Sequence, residues 1–328
     1  MIVYVIEPGA IVNKSGNKVQ ITLDNKIIQE VPIKLIETLV ITGKVVVTNG
    51  VMEALLNDNI NFIWVGYNGK FVGRLENVKS YNILRQYKQF KLYEQGDKKL
   101  EIAKKIILGK TKNQKTILMR YNKNLKNNDI EIVINKISYM IKKIDRVESV
   151  SELMGVEGYI AKLYFKGVGS IVPKEFEFTK RTKFPPKDAV NSVLSFGYSL
   201  LFNDLCSIII SKRLNPYIPV LHSLQNGHQA LCSDLMEEWR PIIVDSLVIN
   251  MFKNNEFHID DFTKNDYGVF ITPFAMRKFI RKYENKMASY HKFLDGSAMD
   301  YRTSIEHQVN LFLSILDGDS CEKNINLS

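Results

Sequence analysis

Three side chains on separate stretches of this chain, Glu157, His222 and Glu237, could together hold a hard divalent cation. Glu157 lies between two glycines in LMGVEGYIAKLYF, residues 153–165. His222 opens the segment LHSLQNGHQALCSDLMEEWRP, in which Asp234, Glu237 and Glu238 follow. Asp234 precedes the two glutamates by three and four residues, so on a helix it shares a face with both. Two carboxylates and one imidazole suit Mg2+ or Mn2+, and the nitrogen ligand tilts the preference toward Mn2+. Such an ion polarises a phosphoryl oxygen and activates a hydroxyl or water for attack on a phosphodiester. With so few acids at hand, one ion fits better than two.

The elements that must position these groups are legible nearby. Ser149 and Glu152 have the spacing of a capping box, which predicts a helix from residue 150 with Glu157 two turns inside it. Leu153, Val156, Ile160, Leu163 and Tyr164 supply its apolar stripe. Gly155 and Gly158 each weaken such a helix by up to about 1 kcal/mol, which implies that something approaches its backbone closely. Asn226-Gly227 marks a turn, placing His222 on the loop before a helix from about Ala230. His228 is the alternative imidazole, although its place just after Gly227 suits a turn residue. Acids at the start of a helix could serve only the helix dipole. Pro241 adds a second signal, because it removes the hydrogen bond to the Glu237 carbonyl and bends the helix at that turn.

Composition sets the class of partner. The 328 residues are 45% hydrophobic and 24% charged, as in an ordinary globular protein. Lys and Arg number 45 against 35 Asp and Glu, a net charge of +10 that favours a polyanionic partner. No stretch reaches 18 uninterrupted apolar residues and residues 1–30 lack the order of a signal peptide, so no membrane association is expected. The three cysteines, Cys206, Cys232 and Cys321, have no paired spacing. They are expected to be unpaired thiols of a cytoplasmic protein, and they exclude a CxxC zinc site. Five histidines disfavour a three-histidine zinc centre.

The pattern along the chain predicts an α+β protein. Residues 1–76 read as a small antiparallel β domain, with strands at Ile2–Ile6, Lys18–Leu23, Ile27–Val31, Leu39–Ile41, Val45–Val47, Phe62–Val65 and Phe71–Arg74, and a short helix at Val51–Leu56. Lys14–Asn17, Asp24-Asn25 and Asn68-Gly69 are its turns. Residues 77–84 are the expected linker, and 85–328 a larger, all-α catalytic domain. Residues 88–143 carry much of the lysine excess on what should be solvated helix faces. Asp188, after Pro185-Pro186, is the expected cap of a long apolar helix over Asn191–Leu214. The polar end, Gly318–Ser328, is expected to fray.

Three strings together, LMGVEGYIAKLYF, RTKFPPKDAVNSVLSFGYSLL and LHSLQNGHQALCSDLMEEWRPIIVD, strongly resemble the CRISPR-associated adaptation endonuclease, the integrase subunit of most CRISPR systems. GKTKNQKTILMRY at 109–121 and YRTSIEHQVNLF at 301–312 resemble the same family more loosely. The loop SLQNGHQA and Trp239 depart from its commoner residues. The resemblance implies a metal-dependent DNA endonuclease and integrase that inserts spacers into a CRISPR array. It implies that Glu157, His222 and Glu237 are the metal ligands, with Asp234 the accompanying acid. It also implies a homodimer formed through the N-terminal domains and assembly with the small second-numbered CRISPR-associated protein. In that chemistry a 3′-hydroxyl of DNA is the nucleophile, so Tyr159, Tyr164 and Tyr198 are expected to pack rather than react. Arg181, Lys183, Arg240 and Arg302 are candidates for binding double-stranded DNA through phosphate. Two alternatives stand beside this reading: a hydrolytic nuclease acting on branched DNA in repair, and a non-catalytic DNA-binding scaffold.

Overall fold

Short Val- and Ile-rich runs build the first unit. In chain order these are β1 (Ile2–Val5), β2 (Ile11–Ser15), β3 (Lys18–Leu23), β4 (Lys26–Pro32), β5 (Thr38–Thr42), β6 (Val46–Val47), helix α1 (Asn49–Asn57), β7 (Asn61–Val65) and β8 (Phe71–Leu75). They form two four-stranded sheets, ordered β1-β5-β7-β8 and β4-β3-β2-β6. Alternate residues face inward, so Val3, Val12, Val19, Ile21, Leu39 and Ile41 share one core with Leu55 of α1. The computed structural model describes residues 1–66, 71–76, 82–183, 185–292 and 298–318, and divides into two compact units, Met1–Tyr81 and Asn82–Ser328. The expected turn at Asn68-Gly69, positions 77–81 of the expected linker, and the tail from 319 with Cys321 lie outside the described residues.

The expectation of an antiparallel first domain is corrected. β1 pairs with β5, β5 with β7 and β2 with β6 in parallel; the other pairings are antiparallel. Parallel neighbours require long crossovers, and the chain supplies them. The β2–β3–β4 meander separates β1 from β5, and β6 with α1 separates β5 from β7. Alternation reports that a run is a strand; it does not report its partner. The Asp24-Asn25 turn is as expected, both residues having positive φ (49° and 61°) between antiparallel β3 and β4.

The second unit is built mainly of α2 (Ile83–Glu94), α3 (Gly96–Leu125), α4 (Asn128–Ile144), α5 (Val150–Gly169), α6 (Ala189–Ser211), α7 (Ala230–Met236), α8 (Ser246–Lys253), α9 (Pro273–Met287) and α10 (Tyr301–Asp317). α5 begins where its cap predicts, with the Ser149 hydroxyl accepting from Glu152 N at 3.2 Å. Asp188 caps α6 by accepting from Asn191 N at 2.8 Å. Pro241 does more than bend one helix: Arg240–Asp245 forms a π-helical segment between α7 and α8. α3, α4 and α5 pack through Ile102, Ile106, Val133, Ile137, Leu153 and Ile160, all buried.

This unit is not all-α. β9 (Phe262–Asn265) pairs with β10 (Gly268–Ile271), and β11 (Tyr290–Lys292) pairs with β12 (Ala298–Asp300). The first hairpin is fixed by tertiary contacts, since Val269 N donates to Pro186 O (2.9 Å) and Ile271 N to Ser192 Oγ (3.1 Å). α6 is long and apolar enough to cross a membrane by length and composition, which qualifies the expectation of no such stretch; 56% of its apolar window is buried inside the protein. Cys206 of α6 and Cys232 of α7 form a disulfide with Cα atoms 5.4 Å apart, correcting the expectation of unpaired thiols. Their approach follows from the packing of the two helices, which their separation of 26 residues does not reveal.

Candidate active site

Lys110 stands at the meeting point of three helical segments. It belongs to α3 and is buried, and its ammonium forms ion pairs with Glu157 of α5 and Glu237 at the C-terminal end of α7. The Glu237 Oε2–Nζ distance is 2.6 Å. Two carboxylates from different helices therefore share one cation. Burial opposes the charge on Lys110, but Glu237 and Glu157 override it and raise its pKa. Burial likewise pushes Glu237 up, and Arg240 with Lys110 more than reverse this, holding it at about 2. Glu237 is ionised at any working pH. Lys110 is the functional residue that the reading of 88–143 as solvated faces passes over. Its signal was its place on the apolar stripe of Ala103, Ile106, Ile107 and Ile117, all buried.

Asp234 anchors the imidazole. It is fully buried, and Oδ2 accepts from Val220 N (2.7 Å) and Leu221 N (2.8 Å) while Oδ1 accepts from His222 N (3.2 Å) and from the His222 ring at Nδ1. Both oxygens are occupied by donors, so Asp234 positions the loop and the ring instead of offering itself to an ion. A carboxylate already accepting three N–H bonds can only accept from the ring, which puts the proton of neutral His222 on Nδ1 and the lone pair on Nε2. The hydrogen bond to Asp234 raises the His222 pKa, against burial. His228 lies edge-on to His222 with centroids 5.9 Å apart and meets Ser233 Oγ through Nε2 at 3.1 Å, as suits a turn residue.

No group of three or more His, Cys, Asp or Glu side chains arranged to hold a metal occurs among the described residues. The two glutamates meet at Lys110, which supplies the positive charge between them, and His222 is close enough to Glu237 for their charges to interact. The donors fit such an ion: two carboxylates already gathered on one positive charge, and an imidazole whose tautomer leaves Nε2 to coordinate.

Glu238 departs from its neighbour. It is buried, accepts from Gln308 Nε2, and faces α3 at Gly109, where a Cβ would lie 2.0 Å from its Oε1. Only glycine permits that approach. Burial without a cation pushes Glu238 up to about 8, so it is neutral at pH 7. Three of the four candidate phosphate-binding residues have partners within the protein. Arg181 is bound to Asn191 Oδ1 (2.9 Å) and Ser195 Oγ (3.0 Å), and stacks over Tyr198. Arg240 pairs with Glu237 at 3.3 Å and stacks on the same ring. Arg302 holds both oxygens of Glu284, at 2.8 and 2.9 Å. A partly buried guanidinium needs such partners. Lys183 is exposed. Tyr164 and Tyr198 pack as expected, Tyr198 donating to Asp245, whereas Tyr159 is 47% exposed and does not.

The profile described as "CRISPR associated protein Cas1" matches residues 3–285. The chain belongs to the Cas1 family. It is 28% identical over 322 residues to "CRISPR-associated endonuclease Cas1 3" of Thermus thermophilus, a match spanning 97% of this chain and 94% of the relative. The solved structure titled "Casposase bound to integration product" superposes with a TM-score of 0.86 at 24% identity, over 99% of this chain and 93% of that one. A chain of a "Cas6-RT-Cas1--Cas2 complex" gives 0.82 at 20% identity, over 99% of this chain and 36% of the longer one. At those identities the two structures speak to the fold. The curated relative carries the name of an endonuclease.

Two outcomes follow from the ionisations. The unfolded state ionises Glu238 from the ordinary carboxylate range upward while the folded state resists until about 8, so this residue lowers stability as pH rises across that interval. Glu238→Gln should raise the melting temperature by several degrees at pH 8.5 and change it little at pH 4.5, as read by differential scanning fluorimetry. Asp234→Asn should lower the His222 pKa in an NMR titration of the imidazole; an unchanged midpoint refutes the pairing.

Proposed function

We propose that this chain is a metal-dependent DNA endonuclease and integrase that inserts spacer DNA into a CRISPR array. The observation that carries this reading is the meeting of partly buried Glu157 and buried Glu237 on one cation, with His222 braced by Asp234 alongside. Mg2+ or Mn2+, when bound, supplies Lewis-acid stabilisation of the charge that builds on the phosphoryl oxygens. Glu157 and Glu237 would hold it through carboxylate oxygens and His222 through Nε2. Lys110, which pairs with both carboxylates, would offer its ammonium to the charge developing on phosphate.

The reaction balances without a protein nucleophile. The 3′-oxygen of the incoming strand forms a bond to phosphorus, the bond from phosphorus to the 3′-oxygen of the target strand breaks, and one proton passes from the attacking hydroxyl to the departing oxygen through solvent. With water as the attacking group the same site cleaves DNA. Tyr164 and Tyr198 have no part in this beyond packing. DNA as substrate and a Cas2-type partner are supported by the casposase and Cas1–Cas2 titles of the similar structures, and the net charge of +10 suits the first. We extend the reading to a homodimer formed through the N-terminal unit.

Glu157→Gln, His222→Ala and Glu237→Gln proteins should fold, bind DNA and lose Mn2+-dependent joining of a 3′-hydroxyl donor to a repeat-containing acceptor by at least a hundredfold. Wild-type activity from any folded variant removes that residue from the site, and cleavage without joining favours the hydrolytic alternative. Lys110→Met leaves buried Glu237 with Arg240 alone and Glu157 without their shared cation, so in EDTA it should be about 3 kcal/mol less stable than wild type, measured by urea unfolding. Mn2+ should restore more stability to it than to wild type; an equal response in the two proteins argues against a shared cation position.

A further inference from the structure

The outer face of α4 has a composition that the metal site does not use. Its inner face buries Ile130, Val133, Ile134 and Ile137. On the opposite side Ile132, Lys136, Tyr139 and Lys143 recur at helical spacing, and with Met140 and Tyr159 of α5 they line a groove of about 750 Å3. Ile132, Tyr139 and Tyr159 are 44%, 63% and 47% exposed, so three large apolar bodies stand in water here. The two charged side chains of the lining are both lysines, and the Lys143 ammonium lies 5.0 Å from the centre of the Tyr139 ring. Tyr159 follows Glu157 by two positions, roughly 200° around the helix, so the groove and the carboxylate pair lie on different sides of α5.

We infer that this α4–α5 groove binds a short unpaired segment of DNA, whose bases stack on Tyr139 and Tyr159 while its phosphates meet Lys136 and Lys143. The inference rests on the proposal that the chain acts on DNA. Aromatic faces beside cations on an apolar floor match a single strand, where every base offers an open π face next to an anionic backbone. A duplex keeps those faces stacked inside. A second copy of this chain would set lysine against lysine, and protein interface cores are depleted of lysine. Gly155 and Gly158 are in keeping with this assignment: both are exposed, and among the described residues no atom beyond their own stretch of helix comes within 4 Å of where a Cβ would stand. They leave backbone open beside Tyr159.

The test measures fluorescence anisotropy of the full chain with a labelled 12-nucleotide oligothymidylate and with a labelled duplex, both in EDTA. Tyr139→Ala/Tyr159→Ala should weaken the single strand at least tenfold and the duplex less than threefold, while Tyr139→Phe/Tyr159→Phe retains both affinities. Lys136→Ala/Lys143→Ala should flatten the salt dependence of single-strand binding. Photo-cross-linking with 5-iodouracil oligonucleotides should map to Tyr139 or Tyr159. Wild-type single-strand affinity in the double alanine variant overturns the inference, as does cross-linking confined to other segments. So does a variant that binds the single strand normally but loses dimer mass in sedimentation, which would make the groove a protein interface. A wild-type protein that stacks a single strand on these tyrosines yet never cleaves or joins DNA refutes the proposed activity and leaves the groove standing.

Discussion

Carboxylates drawn together away from water repel each other and are poorly solvated, so they persist side by side only around a positive charge. Lys110 supplies that charge to buried Glu237 and partly buried Glu157. The interaction ties α3, α5 and the end of α7 to one point, and it holds Glu237 at about 2 despite burial. A divalent cation would satisfy the same electrostatics with more charge and defined coordination. The lysine keeps the two acids paired.

The surroundings tell neighbouring acids apart. Glu237 has Lys110 and Arg240 and stays ionised; Glu238, one residue on, faces Gly109 and Gln308 and is neutral at pH 7. Asp234 is saturated by three backbone N–H groups and a ring nitrogen, which makes it the brace of His222. The π-helical segment opened by Pro241 sets Arg240 against Glu237 and the Tyr198 ring, where Arg181 also stacks. Residue type alone does not tell these acids apart. Desolvation and the partners that burial demands give each a different charge and role.

The α4–α5 surface has the reverse character. Its side chains are exposed and its tyrosines unburied, on the same helix that delivers Glu157 on its other side. One helix therefore serves a buried electrostatic site and an open aromatic face, because its periodicity separates residues 157 and 159 by more than half a turn.

Much was legible in the residues because it is local. The cap at Ser149, the cap at Asp188, the Asp24-Asn25 turn and the break near Pro241 each depend on a few neighbouring positions, and the strings around Glu157, His222 and Glu237 carried the family. What the tertiary structure decided is pairing at a distance: parallel β1, β5 and β7, the Cys206–Cys232 bond, the hairpin held by Pro186 and Ser192, and Lys110 between two glutamates 47 and 127 residues away. Spacing along a chain encodes periodicity and caps. Which charges end up buried together depends on how whole helices dock, and no single segment contains that information.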